Sequence, residues 1–203
     1  MVVLHYTAMV TAEAALERLC DPIPAVSAHY LIAATGAVFA LVDEQMRAWH
    51  AGAGRWGDVT DVNSRSVGIE LANTGATPFA APQMLALEEL LSGILGRHKI
   101  APERVIAHSD MAPGRKSDPG PRFDWCRLAA QRLAVWPGVG RVAPVAGLDA
   151  DLIRFGYDPG LPPDLRLSAF RGRFRPGVTG PADMTDASAA RDLAQRWPVK
   201  RGA

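Results

Sequence analysis

Apolar residues come in short β-branched bursts through the first half of the chain, separated by stretches where they recur every three or four positions. Val2–Tyr6 is such a burst and predicts a strand with His5 near its end. Thr11–Cys20 opens on a capping threonine, carries an early glutamate and continues in helix formers, which predicts a helix. His29–Ala34 and Ala37–Val42, joined by Thr35-Gly36, predict a hairpin, and Ser66–Ala72 a further strand. In Pro82–Lys99, Met84, Leu87, Leu91, Ile94 and Leu95 share one helical face, with Pro82 near the first turn. Arg104–His108 predicts a last strand and Phe123–Val135 a helix. Strands and helices interleave, so the expected class is α/β, a mixed central β-sheet flanked by helices.

Two stretches break the pattern. Ala48–Asn63 follows neither period and mixes Gly52, Gly54 and Gly57 with Trp49 and Trp56, which marks a long loop of the functional kind. Trp136–Gly147 is rich in Pro, Gly and Val and predicts a linker. Beyond it, Asp149–Gly156, Pro163–Phe174 and Thr185–Trp197 predict three short helices, with Leu165, Leu167, Phe170, Phe174, Leu193 and Trp197 at helical spacing. The expected organisation is a unit over 1–135, a linker over 136–148 and a small all-α three-helix unit over 149–203.

Composition narrows the function. The 203 residues are 48% hydrophobic, enough for one fair-sized core and a smaller second one. A net charge of +1 gives no electrostatic argument for a nucleic-acid partner or an anionic membrane. No apolar run reaches the roughly 18 residues that a membrane span needs. The opening Met-Val-Val-Leu-His has no basic or long apolar leader, which predicts the cytoplasm; a segment upstream of this Met would instead place the chain in the periplasm or cell envelope. Cys20 and Cys126 fit no zinc spacing and predict buried thiols. Lys99, Lys116 and Lys200 are the only lysines in a chain that otherwise uses arginine, so Lys116 stands out in its loop as a compact ammonium.

The most informative segment is 104–120, Arg-Val-Ile-Ala-His-Ser-Asp-Met-Ala-Pro-Gly-Arg-Lys-Ser-Asp-Pro-Gly. It delivers His108 at a strand end, then Lys116 and Asp118 before a stiff Pro-Gly. If the strands of His5 and His108 are neighbours, two imidazoles reach one ion, and Asp118 is the natural third ligand. Two histidines, one carboxylate and an open position describe a catalytic zinc site. Glu70 interrupts the apolar strand Val-Gly-Ile-Glu-Leu-Ala; it reads either as the solvated side of an edge strand or as a buried general base. Lys116 reads as a surface lysine or as an oxyanion partner. His29 reads as a structural hydrogen-bonding group or a substrate contact, and His50 as a neighbour of the site. His98 reads as a dipole partner at a helix end, and Trp56 and Trp125 as core or cleft.

Five ordered motifs carry a family resemblance: Leu-His-Tyr-Thr, Ser-Ala-His-Tyr-Leu-Ile, Ala-Trp-His-Ala-Gly, Asn-Ser-Arg-Ser-Val-Gly-Ile-Glu-Leu and Ala-His-Ser-Asp-Met-Ala-Pro-Gly-Arg-Lys-Ser-Asp-Pro-Gly-Pro. Over residues 2–135 the chain resembles the zinc-dependent N-acetylmuramoyl-L-alanine amidases of the amidase-2 family, which share a fold with peptidoglycan recognition proteins. The resemblance implies zinc ligands at His5, His108 and Asp118, a catalytic glutamate at Glu70 and a catalytic lysine at Lys116. It implies hydrolysis of the amide between N-acetylmuramic acid and L-alanine in peptidoglycan or a muropeptide, with Zn2+ as cofactor. Trp49, His50, His29 and Asn73 are the expected substrate contacts, and the protein is expected to act as a monomer. Residues 149–203 resemble the small peptidoglycan-binding-like unit of some envelope amidases. Two rival readings are a non-catalytic muropeptide-binding module and an ordinary metallopeptidase.

Overall fold

A computed structural model describes residues 1–138 and 142–199. Residues 139–141 of the predicted linker and 200–203 of the predicted terminal unit lie outside the described residues. The strands are β1 (Val2–Tyr6), β2 (Tyr30–Ile32), β3 (Val38–Ala40), β4 (Val67–Leu71) and β5 (Val105–Ala107). They form one mixed sheet in the order β3-β2-β4-β1-β5. β1 runs parallel to β4 and β5, β2 runs parallel to β4, and only β3 is antiparallel, closing the predicted hairpin with β2. The parallel strands therefore all end at one edge, where an α/β sheet gathers its functional groups.

Side-chain alternation splits the core in two. Val2, Leu4, Val67, Ile69, Leu71, Val105 and Ala107 pack on one face against α2 (Ala81–His98), whose Met84, Leu87, Leu91 and Ile94 form the predicted stripe. Val3 and Ile106 belong to the other face, with Ala51, Trp56 and Val62 from the long loop. That second face is covered by α5 (Leu148–Phe155), α6 (Pro163–Phe174) and α7 (Met184–Arg196), whose Leu152, Phe155, Phe170, Phe174, Ala190 and Leu193 share one apolar core with β1 and β5. The same alternation puts Val3 and His5, Gly68 and Glu70, and Ile106 in line on this second face.

The remaining helices are α1 (Ala12–Cys20), α3 (His108–Met111) and α4 (Trp125–Ala130). Thr11 caps α1 by accepting from the amide of Ala14, as its sequence predicts. Three expectations are corrected. The last strand stops at Ala107 and His108 begins α3, because the Asp110 carboxylate accepts from the Ala107 amide at 2.8 Å and turns the chain into a helix. α4 is shorter than the predicted 123–135: Arg132 takes φ 60°, the left-handed region, and Leu133 bonds back to Leu128. Cys20 and Cys126 are exposed and free rather than buried, since each lies on the outer side of its helix. His98 ends α2 and meets the Glu44 carboxylate. Trp56 and Trp125 are both core. Among the described residues no helix is long and apolar enough to cross a membrane.

Candidate active site

β1 and β5 are direct neighbours, so His5 and His108 emerge side by side at the carboxyl edge of the sheet. Their Nδ1 atoms are 2.8 Å apart. The loop after α3 returns to place Asp118 Oδ2 at 2.9 Å from His5 Nδ1 and 3.0 Å from His108 Nδ1. All three side chains are buried, and among the described residues this trio is the cluster whose donor atoms could hold a metal ion.

The far side of each ring decides which way its lone pair points. His108 Nε2 faces the carbonyl of Ala51 at 2.8 Å; a carbonyl only accepts, so the ring carries its proton on Nε2 and turns the Nδ1 lone pair inward. His5 Nε2 faces His50 Nδ1 at 3.0 Å, His50 Nε2 faces Ser66 Oγ at 3.2 Å, and that hydroxyl donates to the carbonyl of Val62. Donation therefore runs from His5 Nε2 to His50 Nδ1, from His50 Nε2 to Ser66 Oγ and from Ser66 to the carbonyl, so His5 also turns its Nδ1 lone pair inward. Burial, then the nearby His108 ring, pushes His5 down to about 4, so it is neutral near pH 7. Burial and the rings of His5, His29 and His108 hold His50 well below the usual imidazole range. Burial would raise Asp118, but the two rings against it win and keep its carboxyl well below the usual range. Three acceptors thus converge with no donor between them, and two imidazoles with one carboxylate are a set that suits zinc with a position left open.

His50 sits over Gly68 of β4, where a Cβ would come within 2.3 Å of its ring. Gly68→Ala should therefore displace His50 and cost about 2 kcal/mol of stability through overpacking, checked by thermal unfolding. Asn63 Oδ1 accepts from the amides of His50 and Ala51 at 3.1 and 2.8 Å and pins the loop. Arg115 Nη2 donates to the Ala51 carbonyl at 2.7 Å. Ser66, Asn63, Gly68 and Arg115 were not singled out individually from the sequence; the only hint is that all four lie inside the quoted motifs or beside them.

β4 is flanked by β2 and β1, so Glu70 is not on an edge strand. It is the register partner of His5, on the same face. Its Oε2 is buried without a hydrogen-bond partner among the described residues. Burial, followed by the Asp118 carboxylate and opposed by the Lys116 ammonium, pushes Glu70 up to about 8. His5, Glu70, Lys116, Asp118, His50 and Trp49 line one cleft of about 450 Å³. Lys116 is on its exposed lip, and Trp49 stands at the mouth with 56% of its surface exposed and Arg47 stacked 4.5 Å from its ring. His29 and Asn73, expected as substrate contacts, are committed elsewhere. His29 is fully buried, with Nδ1 accepting from the Gly68 amide and Nε2 on the Met46 carbonyl. Asn73 orders the loop that follows it, through Gly75, Thr77 and Pro78.

A converging acceptor trio beside an unpartnered carboxyl, open to a cleft at the edge of a parallel sheet, puts this protein among the hydrolases with a metal-capable site. Comparison with known proteins then makes the class specific. The N-acetylmuramoyl-L-alanine amidase family matches residues 1–121. The amidase AmiD of Escherichia coli is 37% identical over 97% of this chain and 83% of its own length. The 1,6-anhydro-N-acetylmuramyl-L-alanine amidase AmpD of Enterobacter cloacae is 41% identical over 52% of this chain and 57% of its own. Among solved structures, E. coli AmiD in complex with anhydro-N-acetylmuramic acid-L-Ala-D-gamma-Glu-L-Lys superposes with a TM-score of 0.88, at 35% identity over 97% of this chain and 89% of that one. AmpDh3 of Pseudomonas aeruginosa with anhydromuramic pentapeptide gives 0.88 at 32% identity, over 98% and 92%. The chain belongs to the N-acetylmuramoyl-L-alanine amidase family and is an amidase of that kind.

Proposed function

We propose that this amidase holds one zinc ion on His5 Nδ1, His108 Nδ1 and Asp118, and cuts the amide between the lactyl group of N-acetylmuramic acid and L-alanine in muropeptides that include the anhydro sugar. The observation that carries the zinc assignment is the inward turn of two lone pairs and a carboxylate with no donor among them. The similar AmiD and AmpDh3 structures hold anhydromuramoyl peptides, which supports the substrate. Every group of the site comes from a single chain, which supports action as a monomer.

Zinc, when bound, supplies Lewis-acid polarisation of water and of the amide carbonyl. Glu70 in its ionised form takes the proton of the attacking water and delivers it to the alanine nitrogen as the C–N bond breaks. The Lys116 ammonium stabilises the carbonyl oxygen as negative charge grows on it. His50 and the Ala51 carbonyl keep the His5 and His108 rings in the tautomer that offers Nδ1. The products are a peptide with a free amino terminus and a muramic acid carboxylate. Trp49 offers the sugar a flat apolar platform at the cleft mouth.

The test is peptide release from anhydro-N-acetylmuramoyl tripeptide by the full chain, with and without chelator. Release is expected only with metal, and Trp49→Ala should raise KM roughly tenfold with kcat nearly unchanged, a loss of uniform binding. Equal cleavage of a plain peptide lacking the muramoyl group would overturn the substrate assignment.

A further inference from the structure

α3 carries a metal-ligand candidate at its first residue and a fully buried aspartate two residues on. Asp110 Oδ2 accepts from the Ala107 amide, immediately before His108. Its other partners come from far along the chain. Tyr157 donates its hydroxyl to Oδ1 at 2.7 Å, and Arg173 Nη1 donates to Oδ2 at 2.6 Å. Arg173 Nη2 also reaches the Val105 carbonyl at 3.2 Å, and its guanidinium lies 3.9 Å from the centre of the Trp125 ring. Tyr157 is fully buried and Arg173 nearly so. Both lie beyond the residues 1–121 that match the amidase family.

We propose that Arg173 and Tyr157, on the C-terminal helical unit, are positioning residues for His108, acting through the buried Asp110 carboxylate. A lone carboxylate in this interior would be costly, and a carboxylate free to rotate would release the turn that starts α3. With Arg173 and Tyr157 on its two oxygens the carboxylate has one orientation. The backbone of residues 105–110 is then held on both sides of His108, by Arg173 at the Val105 carbonyl before it and by Arg173 and Tyr157 at the Asp110 carboxylate after it. The terminal unit thereby contributes to the metal site without touching it. The geometry also separates this clamp from the other ion pairs of the unit: Arg166 with Asp149, and Arg171 with Asp186, join its own segments and do not reach the 105–118 segment.

The proposal rests on the zinc assignment above, and the experiment distinguishes the two. Zinc affinity of the full chain is measured by competition with a chromophoric chelator at 25 °C, after circular dichroism has shown each variant folded. The visible spectrum of the Co2+-substituted protein reports ligand geometry. Tyr157→Phe and Arg173→Met are each expected to weaken zinc binding about tenfold or more and to alter the cobalt bands, as loss of outer partners of a ligand does. Arg173→Lys, which keeps the charge, should recover most of the affinity. Asp149→Asn loosens the helical unit away from Asp110 and should lower the melting temperature with zinc affinity unchanged. If Arg173→Met does not fold, Tyr157→Phe, which removes one hydroxyl, decides alone. Wild-type affinity and spectrum in the folded clamp variants overturn the proposal. So does an equal loss in Asp149→Asn, which would mean general loosening. Failure of the wild type to bind zinc overturns the metal assignment itself.

Discussion

Glu70→Gln is expected to lower kcat by about 10³-fold while leaving zinc bound. Glutamine keeps the size and shape of the side chain and removes the one function proposed for it, accepting a proton from water. Positioned proton transfer contributes typically 10²–10⁴-fold. The geometry supports the upper part of that range: Glu70 is in register with His5, its Oε2 has no protein partner, and burial has pushed it up to about 8. A group raised in this way must be ionised to act, so the acid limb of kcat/KM should follow Glu70. It should fall below 8 in the loaded enzyme, because a cation beside a carboxyl favours its ionised form. The same shift has a consequence for stability. With a folded value of about 8 against an ordinary 4.5, the native metal-free state holds a proton that the unfolded chain has released, so its stability falls with pH between those values and then levels off. Glu70→Gln removes that loss. Metal-free Glu70→Gln should match the wild type near pH 4 and exceed it at pH 9 by on the order of 5 kcal/mol, read by denaturant unfolding. Full turnover by a zinc-loaded Glu70→Gln would remove Glu70 from the mechanism.

How far the chain could be read depends on what each element needs. The strands and α2 were legible because their apolar periods are intact and each is buried on a face that the period defines. The same alternation put Glu70 on the face opposite Ile69 and Leu71, but periodicity is silent about neighbours. That β4 is an inner strand follows from pairing, and pairing is what rejects the solvated-edge reading. His108 was read as a strand end and is the first residue of a helix, because the signal for the turn is a side chain, Asp110, whose partners lie 47 and 63 residues later. The His5–His50–Ser66 chain was out of reach for a related reason. It is built by the aperiodic loop 48–63, whose path is set by Asn63 and Arg115 rather than by local propensity. His29 and Asn73 have the right residue types for substrate contacts, but their polar atoms are bonded to the backbone of Gly68, Met46, Gly75 and Thr77. The exposed cysteines show the limit of composition: a thiol is small enough to be tolerated on either side of a short helix.

Stripping the metal should lower the melting temperature by roughly 10 °C and abolish turnover, and Asp118→Asn should do both permanently. Two lone pairs and a carboxylate oxygen within 3.0 Å of one another repel unless a cation or a proton sits among them. Zinc at about a thousandfold above its dissociation constant stabilises the native state by about 4 kcal/mol. For a chain of this size each kcal/mol moves the midpoint by roughly 2–4 °C. Near neutral pH the proton is a poor substitute, since His5 accepts one only near 4. The stabilisation by metal should therefore shrink as pH falls through that value, where protons take over the space between the rings and release the ion. Asp118→Asn replaces a charged ligand by a neutral amide, whose oxygen is a weaker ligand and whose nitrogen brings two donors, so the site loses its negative charge. Its melting temperature should no longer respond to zinc or chelator, and its turnover should fall by more than about 10³-fold, as expected when metal polarisation is lost. A melting temperature indifferent to chelator in the wild type, with turnover intact, would mean that the trio is held by a proton and that the amide is cut without a metal.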